Sequence, residues 1–352
     1  MTHELSHARH ILVINLKYLG DSIWMLPFVD NLKQNVPAAT VSVLVNEGTE
    51  VFFRGRPSVD HVFPFPRQRV KAGPGGLVEL LSFVRGIRKL KPDVAIDLSD
   101  TDRPAVFSLL SGAGLRVGYD NAREWRRHLY NRVIQSKINS KHMVEYHLDV
   151  LREMGLVIYD DSIRIPVAPA VFEALRDKWP TAFHRQEDKK KVLIHPGARN
   201  RLRQWGPEKY AALCDALAAD CRIFLVAGPG EGDILRELVG FMRTEPEIVA
   251  PKVDLCELAA LCELSDLFIG NDSGPIHVAA AKTFTVGIYG PTLPQLISPW
   301  TKRKLLIEGP ALPCRPCRQE VCENQEYNAC IMAITTDEVI GKVRKILPML
   351  QP

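Results

Sequence analysis

Between Asn15 and Ser22 the chain reads Asn-Leu-Lys-Tyr-Leu-Gly-Asp-Ser, directly after an apolar run. An aspartate in that setting has two uses. Asp21 near the start of a helix is a cap, a role for which Asp is a preferred type. Asp21 facing a ligand is a carboxylate able to take a proton from a hydroxyl. Lys17, four residues earlier, favours the ionised form wherever the two lie close. The Gly-x-Gly-x-x-Gly fingerprint of dinucleotide sites does not occur at this turn.

The second half of the chain places polar groups at four successive strand ends. His195-Pro-Gly197-Ala198 follows the first, and its small residues let backbone N–H groups approach an anion. Arg199, Arg201 and Arg203 come next, ahead of Trp205 and a helix opened by Pro207. Arginines so spaced clamp a diphosphate or simply lie in water. Gly228-Pro-Gly230-Glu231 follows the second strand, where dinucleotide folds place a carboxylate on the ribose hydroxyls. A Gly-Pro turn accounts for everything there except the Glu. At the third strand end, Asp272-Ser273-Gly274-Pro275 precedes His277. Asp272 or Ser273 can cap, Pro275 suits the first turn, and the free N–H groups with the helix dipole attract an anion. The fourth is Gly290-Pro-Thr292. One such turn means little; four in succession, with basic residues between them, point to a nucleotide diphosphate.

Positioning these groups requires strands that end side by side. Val- and Ile-rich runs recur at 11–16, 41–45, 94–98, 192–195, 222–227, 267–269 and 285–289, bounded by turn residues as buried parallel strands are. Amphipathic stretches of helical length lie between them, such as 76–90, 143–154 and 207–219. The alternation makes the fold class α/β, built from βαβ units. A stretch that is Pro-rich at one end and Lys-rich at the other separates two Rossmann-like halves. The expected boundaries are 1–165, a linker over 166–189, and 190–334, with a last helix over 335–352 that can pack on either half. Ligands of open parallel sheets bind at the carboxyl ends of the strands, so the expected site is a cleft between the halves.

With 352 residues, 46% hydrophobic and 24% charged, the chain suits about two globular domains and excludes intrinsic disorder. A net charge of +4 gives no reason to expect a nucleic-acid partner. No run of about 18 apolar residues is present to span a membrane. No apolar signal core follows Met1, so the expected location is the cytoplasm.

With these residues in this order, the chain resembles glycosyltransferase family 9, the ADP-heptose:lipopolysaccharide heptosyltransferases, over nearly its whole length. The resemblance is carried by Leu19-Gly20-Asp21 with Leu26-Pro27, His195-Pro-Gly-Ala198, Arg203-Gln-Trp205, Asp272-Ser-Gly274 with His277, and Tyr289-Gly-Pro-Thr292. The tail adds Cys314-x-Pro-Cys317, Cys322 and Cys330-Ile-Met332. Lys17-Tyr18, Asp93 to Asp97 with Ser99-Asp100, and His142-Met-Val-Glu145 are most similar to the heptosyltransferase III type. The resemblance implies the GT-B fold: two Rossmann-like domains with parallel sheets facing across a cleft, the acceptor on the N-terminal one and the nucleotide sugar on the C-terminal one. It implies inverting transfer of heptose from ADP-heptose to the inner core of lipopolysaccharide, with no metal at the diphosphate and no cofactor. Asp21 is then the general base, and Arg203 neutralises the leaving diphosphate. Glu231 takes the donor ribose, and His195, Gly197, Ala198, Arg199, Trp205, Asp272, Ser273, Gly274 and His277 complete the donor site. Lys17, Tyr18 and Arg126 are the implied acceptor contacts. Asn15, where the family often has Arg, and Ala198-Arg199, where it has small hydroxyl residues, depart from the pattern.

Two features admit other readings. Cys314, Cys317, Cys322 and Cys330 have part of the spacing of a thiolate metal site; the alternative is a reduced Cys-rich loop. Residues 123–132 mix Arg123, Trp125, Arg126, Arg127, Tyr130 and Arg132, and Arg54, Arg56, Arg67, Arg69 and Lys71 add a second basic region in the same half. Such surface is either a solvated face or a contact with a phosphorylated acceptor or the anionic inner membrane. The rival functions are a sugar-nucleotide epimerase and a nucleotide-sugar-binding protein without catalysis. An epimerase leaves the basic half without a use, and Asp21 with Arg203 argues against lost catalysis.

Overall fold

The apolar runs form two sheets of six parallel strands each in a computed structural model that describes residues 4–71, 75–119, 124–180, 189–317 and 321–350. The chain divides into two compact units, Met1–Ile163 and Arg164–Pro352. The first holds β1 (His10–Asn15), β2 (Thr40–Asn46), β3 (His61–Phe65), β4 (Val94–Asp97), β5 (Leu115–Tyr119) and β6 (Arg132–Ile134), in the order β3-β2-β1-β4-β5-β6. The second holds β7 (Lys190–His195), β8 (Cys221–Val226), β9 (Ile248–Ala250), β10 (Leu267–Asn271), β11 (Phe284–Tyr289) and β12 (Lys304–Glu308), in the order β12-β11-β10-β7-β8-β9.

Each order reverses once, between β1 and β4 and between β7 and β10. Loops that leave neighbouring strands in opposite directions open a crevice at such a point, and ligands of open α/β sheets bind there. The registers pair Ile14 with Asp97 and Gly270 with His195. The loops carrying Asp21 and Asp100 therefore start side by side in one unit. Those carrying Gly197 and Asp272 do so in the other.

Helices on both faces bury the central strands β1, β2, β4, β8 and β10 along nearly their whole length, which is why those runs are continuous rather than alternating; edge strands β3 and β12 are only partly buried. In the N-terminal unit Leu12, Ile14, Leu44 and Phe65 pack with Ile87 and Phe107, from helices Gly75–Lys89 and Asp102–Leu110. In the C-terminal unit Val192, Ile194, Leu225, Ile269 and Val286 surround Trp205 and Tyr210. The last helix, Thr336–Ile346, adds Val339 and Val343 to that same core. It starts where the Thr335 hydroxyl accepts the Glu338 N–H at 3.2 Å, an N-cap of the usual type.

The stretch 166–189, expected to be a linker, is structured in its first part. Pro169–Lys178 forms a helix with Pro at its first position, where proline's fixed φ and missing N–H are tolerated. Lys178 reaches Glu257 of the C-terminal unit at 2.9 Å, so this helix belongs to that unit. Residues 181–188 lie outside the described residues. Among the described residues no helix is long and apolar enough to cross a membrane.

Candidate active site

The loop after β1 is pinned by three side chains from below. Asn15 is fully buried; its amide donates to the Asp21 carbonyl at 3.1 Å and its oxygen accepts the Lys17 N–H at 3.2 Å. Asn46, at the end of β2, donates to the Lys17 carbonyl. The Ser99 hydroxyl, just past β4, accepts the Leu16 N–H at 2.9 Å. Asn15 therefore does local work that an arginine of different shape and charge could not do in the same way. Asp21 sits within the first turn of helix Leu19–Trp24, whose N-cap is Tyr18. Its carboxylate accepts the Tyr18 N–H at 3.2 Å while its other oxygen lies 4.0 Å from the Lys17 ammonium. Asp21 is therefore not the N-cap itself: from the third helical position it closes the first turn on the Tyr18 N–H, with Lys17 at ion-pair distance. Tyr18 is about half exposed.

Beneath this loop, β4 ends in a buried network that the sequence did not single out as a site. Asp97 is fully buried and accepts hydrogen bonds from the Tyr130 hydroxyl at 2.6 Å and the Ser99 N–H at 2.7 Å. Burial pushes its carboxyl up to about 6, against the opposing effect of those two donors, and the Asp100 charge adds to the rise. Asp100 has a left-handed backbone, φ 49°, a conformation that non-glycine residues seldom adopt. It pairs with Arg126 at 3.1 Å. Arg126 was expected to be an exposed acceptor contact; instead only 4% of its side chain is accessible, and it also lies 3.6 Å from Asp102. Its charge is used on two carboxylates of its own domain, because an uncompensated Asp100 beside buried Asp97 would be costly. Arg56 is likewise turned inward onto Asp30, 2.8 Å away. Arg123 lies outside the described residues, Trp125 is exposed, and Arg132 binds Glu4 at 3.0 Å.

His147 lies fully buried near the same loop. Burial pulls its pKa down to about 3, Lys17 adds to the fall, and the carbonyls of Trp24 and Leu98 oppose it only in part. The unfolded chain, with histidine near its ordinary value of about 6.5, therefore takes up this proton first as the pH falls. The stability that His147 contributes is complete above about pH 6.5 and is lost toward pH 3. Asp97 acts oppositely, since its raised pKa favours the folded state as pH drops through 6. Urea denaturation of the wild type and of His147→Gln isolates the first effect. The difference in slope between the two is expected to approach 1.4 kcal/mol per pH unit between about pH 4 and 6. Identical slopes would show that His147 is not held neutral.

In the C-terminal unit the loops after β7 and β10 are tied together by Asn271, at the end of β10. It is fully buried. Its amide donates to the Pro196 carbonyl at 2.7 Å, and its oxygen accepts the Trp205 N–H at 3.1 Å and the Tyr210 hydroxyl at 3.0 Å. One side chain thus sets His195-Pro-Gly197 against the Arg203-Gln-Trp205 turn. Trp205 was expected to touch the donor; it is fully buried in the core, its ring N–H donating to the Ile334 carbonyl at 2.9 Å. It anchors the turn from inside. Asn200 starts the short 3-10 turn Arg201–Arg203 by accepting the Leu202 N–H. Of the three arginines, Arg199 and Arg201 are exposed, while Arg203 turns back to Asp272 at 2.9 Å. Ala198 is buried, and its carbonyl is held by Gln204.

Asp272 is almost fully buried, and its carboxylate also accepts the Thr292 hydroxyl at 2.7 Å. Burial raises its pKa, and Arg203 and Thr292 counter that only in part. Ser273 follows in extended backbone as the N-cap of helix Gly274–Ala280, with Pro275 in its first turn and His277 buried on its inner side.

Glu231 was expected to be presented to a ribose. The structure ties one of its oxygens to His195 at 3.1 Å and to the Gly228 N–H at 3.0 Å. Burial raises its pKa, but His195 and Gly228 outweigh that and hold it below the usual carboxylate range. A Cβ on Gly197 would lie 2.7 Å from this carboxyl group, so any side chain there must push Glu231 aside. In Gly197→Ala the flexible Glu231 side chain swings aside and the fold survives. What is lost is a charge-assisted contact, on the order of 1.5–3 kcal/mol. The expected result is a thermal midpoint within a few degrees of wild type and nucleotide binding weakened about tenfold or more. Unchanged calorimetric affinity would remove Gly197 and Glu231 from the site.

Cys314, Cys317, Cys322 and Cys330 line one cavity of about 440 Å³ together with Leu202 and Pro291, beside the Arg203 turn and Thr292. Arg315 braces it, donating to the Thr292 carbonyl at 2.9 Å. Among the described residues no group of three or more His, Cys, Asp or Glu side chains has metal-holding geometry.

Residues 80–328 match the model of glycosyltransferase family 9 (heptosyltransferase). The chain is 26% identical to lipopolysaccharide heptosyltransferase 3 of Escherichia coli over 342 residues, 95% of this chain and 98% of that one. Its fold is similar to that of the glycosyl transferase family 9 protein from Veillonella parvula, with a TM-score of 0.80, 19% identity and 97% of each chain covered. It is also similar to that of E. coli ADP-heptose lps heptosyltransferase II, with a TM-score of 0.75, 19% identity, and 97% of this chain and 99% of that one covered. The chain belongs to glycosyltransferase family 9, and it is a glycosyltransferase.

Proposed function

We propose that this enzyme transfers heptose from ADP-heptose to the inner core of lipopolysaccharide, with inversion at the anomeric carbon and without a metal at the diphosphate. The observation that carries this reading is the Arg203–Asp272–Thr292 cluster at the point where the C-terminal sheet reverses its strand order. Arg203 is accessible on one side and fixed on the other, as a group that meets a leaving diphosphate must be. The start of helix Gly274–Ala280 lies beside it. Fixed positive charge aimed where charge develops in the transition state is a main source of rate enhancement. The acceptor falls to the N-terminal unit, where Asp21 takes the proton of the attacking hydroxyl as the new C–O bond forms and the bond to ADP breaks. Lys17 favours the ionised Asp21 that this role needs, and Lys17 and Tyr18 flank the acceptor. The enzyme works without a cofactor, on the cytoplasmic face of the inner membrane where such an acceptor is built.

Calorimetric titration with ADP, UDP and GDP in the presence of a chelator tests the donor. Micromolar ADP binding, with UDP and GDP at least about tenfold weaker, is the expected result. A preference for UDP would keep the family and discard the donor. Product analysis by NMR of the new glycosidic bond tests inversion.

A further inference from the structure

A helix that packs one face on a sheet normally turns polar residues outward. Helix Gly75–Lys89 does so only in its second half, through Ser82, Arg85, Arg88 and Lys89. Its inner side packs on Leu12, Ile14 and Phe65 through Leu80, Phe83, Val84 and Ile87. Its outer side carries Leu77, Val78 and Leu81, with accessibilities of 64%, 68% and 46%. The neighbouring helix Asp102–Leu110 adds exposed Val106 and Leu109. Residues 67–89 carry Arg67, Arg69, Lys71, Arg85, Arg88 and Lys89 against one acidic residue, Glu79. The net positive charge of residues 67–89 exceeds that of the entire chain, which is +4. Arg69 is spent on Glu47 and Glu79, whereas Arg85, Arg88 and Lys89 are exposed.

We propose that the outward face of helix Gly75–Lys89 docks on an anionic lipid bilayer, with the aliphatic side chains entering the acyl boundary and the basic ones meeting headgroups. Apolar residues ringed by Lys and Arg on a surface helix are the combination an anionic interface attracts. A protein partner would need acidic complementarity to the same ring; a bilayer supplies it everywhere. The surface reaches the candidate site, since the Arg67 guanidinium lies 5.9 Å from the centre of the Tyr18 ring, within the loop that carries Asp21. That link to catalysis rests on the proposed lipid-borne acceptor; the docking does not.

Flotation of the full chain with phosphatidylcholine vesicles, with and without phosphatidylglycerol, tests it in the absence of donor and acceptor. The expected result is binding that appears with phosphatidylglycerol and weakens as salt is raised. It should fall about tenfold or more both in Leu77→Ser/Val78→Ser/Leu81→Ser and in Arg85→Glu/Arg88→Glu/Lys89→Glu. The far-UV circular dichroism spectrum and the thermal midpoint should stay near the wild-type values in both variants and so report intact folding of the N-terminal unit that carries them. No binding by the wild type overturns the proposal, as does binding that neither variant reduces. A wild-type dimer that the serine variant turns into a monomer, with no vesicle binding, would assign the face to self-association instead. Because the assay contains no substrate, a wrong donor or acceptor assignment leaves its outcome unchanged.

Discussion

Asp21→Asn is expected to lower single-turnover transfer by roughly 10²–10⁴-fold, the usual worth of a positioned general base. The substitution is nearly isosteric. Its amide oxygen still accepts the Tyr18 N–H that Asp21 now holds at 3.2 Å. Asn15, Asn46 and Ser99 still pin the surrounding loop. What disappears is the capacity to take a proton. ADP affinity should not change, because the donor is assigned to the C-terminal unit and Asp21 lies in the N-terminal one. Rapid-quench kinetics and ADP calorimetry on the same preparation separate the two. A loss smaller than about tenfold, with ADP affinity intact, would mean that another group accepts the proton.

Arg203→Ala should cost about 10²–10³-fold in turnover, as loss of one preorganised charge-stabilising donor does. Here ADP affinity should fall as well, since the departing diphosphate and bound ADP meet the same guanidinium. The variant has a second consequence. Asp272, with 3% of its side chain accessible, loses the partner 2.9 Å away. Removing one member of a buried pair strands the other, and because Arg203 itself opens to solvent the penalty is on the order of 1–3 kcal/mol. The pKa of Asp272, already raised by burial, must rise further. A raised carboxyl pKa costs stability as pH rises from the unfolded value near 4 up to the folded one, so the variant should be more destabilised at pH 8 than below about pH 4. Arg203→Lys keeps the charge without the planar fork, and intermediate turnover with near-normal stability is expected. Wild-type turnover in Arg203→Ala would remove this residue from the mechanism.

The expected core and the expected ligand loops were legible for the same reason. A strand buried on both faces must be continuously apolar, so its end is marked by the first Gly, Asp or Asn after the run. That places Asp21, Gly197, Glu231 and Asp272 at strand ends without any tertiary information. Side-chain direction was not legible. Trp205 stands two residues from Arg203 in the sequence, yet one fills the core and the other is partly open to solvent. The basic stretch around Arg126 looks like a solvated face because charge composition says nothing about which carboxylate a guanidinium meets. Glu231 followed the expected strand, but its partner His195 is supplied by the end of a different strand, β7. Helix Gly75–Lys89 was recognised as amphipathic, yet only the packed sheet shows which of its aliphatic residues have nothing to cover them.

The amino-acid sequence by itself determined the fold class, the two repeated halves and the family, because strand burial, turn chemistry and motif order are local properties. The tertiary structure decided what holds the site. Asn271 reaches Pro196 and Trp205, Asp97 reaches Tyr130, and Ser99 reaches Leu16. Each bond spans tens of residues and exists only because β10 lies beside β7, β4 beside β1, and β5 and β6 follow on the other side of β4. Strand order is set by the free energy of the whole packed sheet, so the groups that position the chemistry become visible only once the sheet is formed.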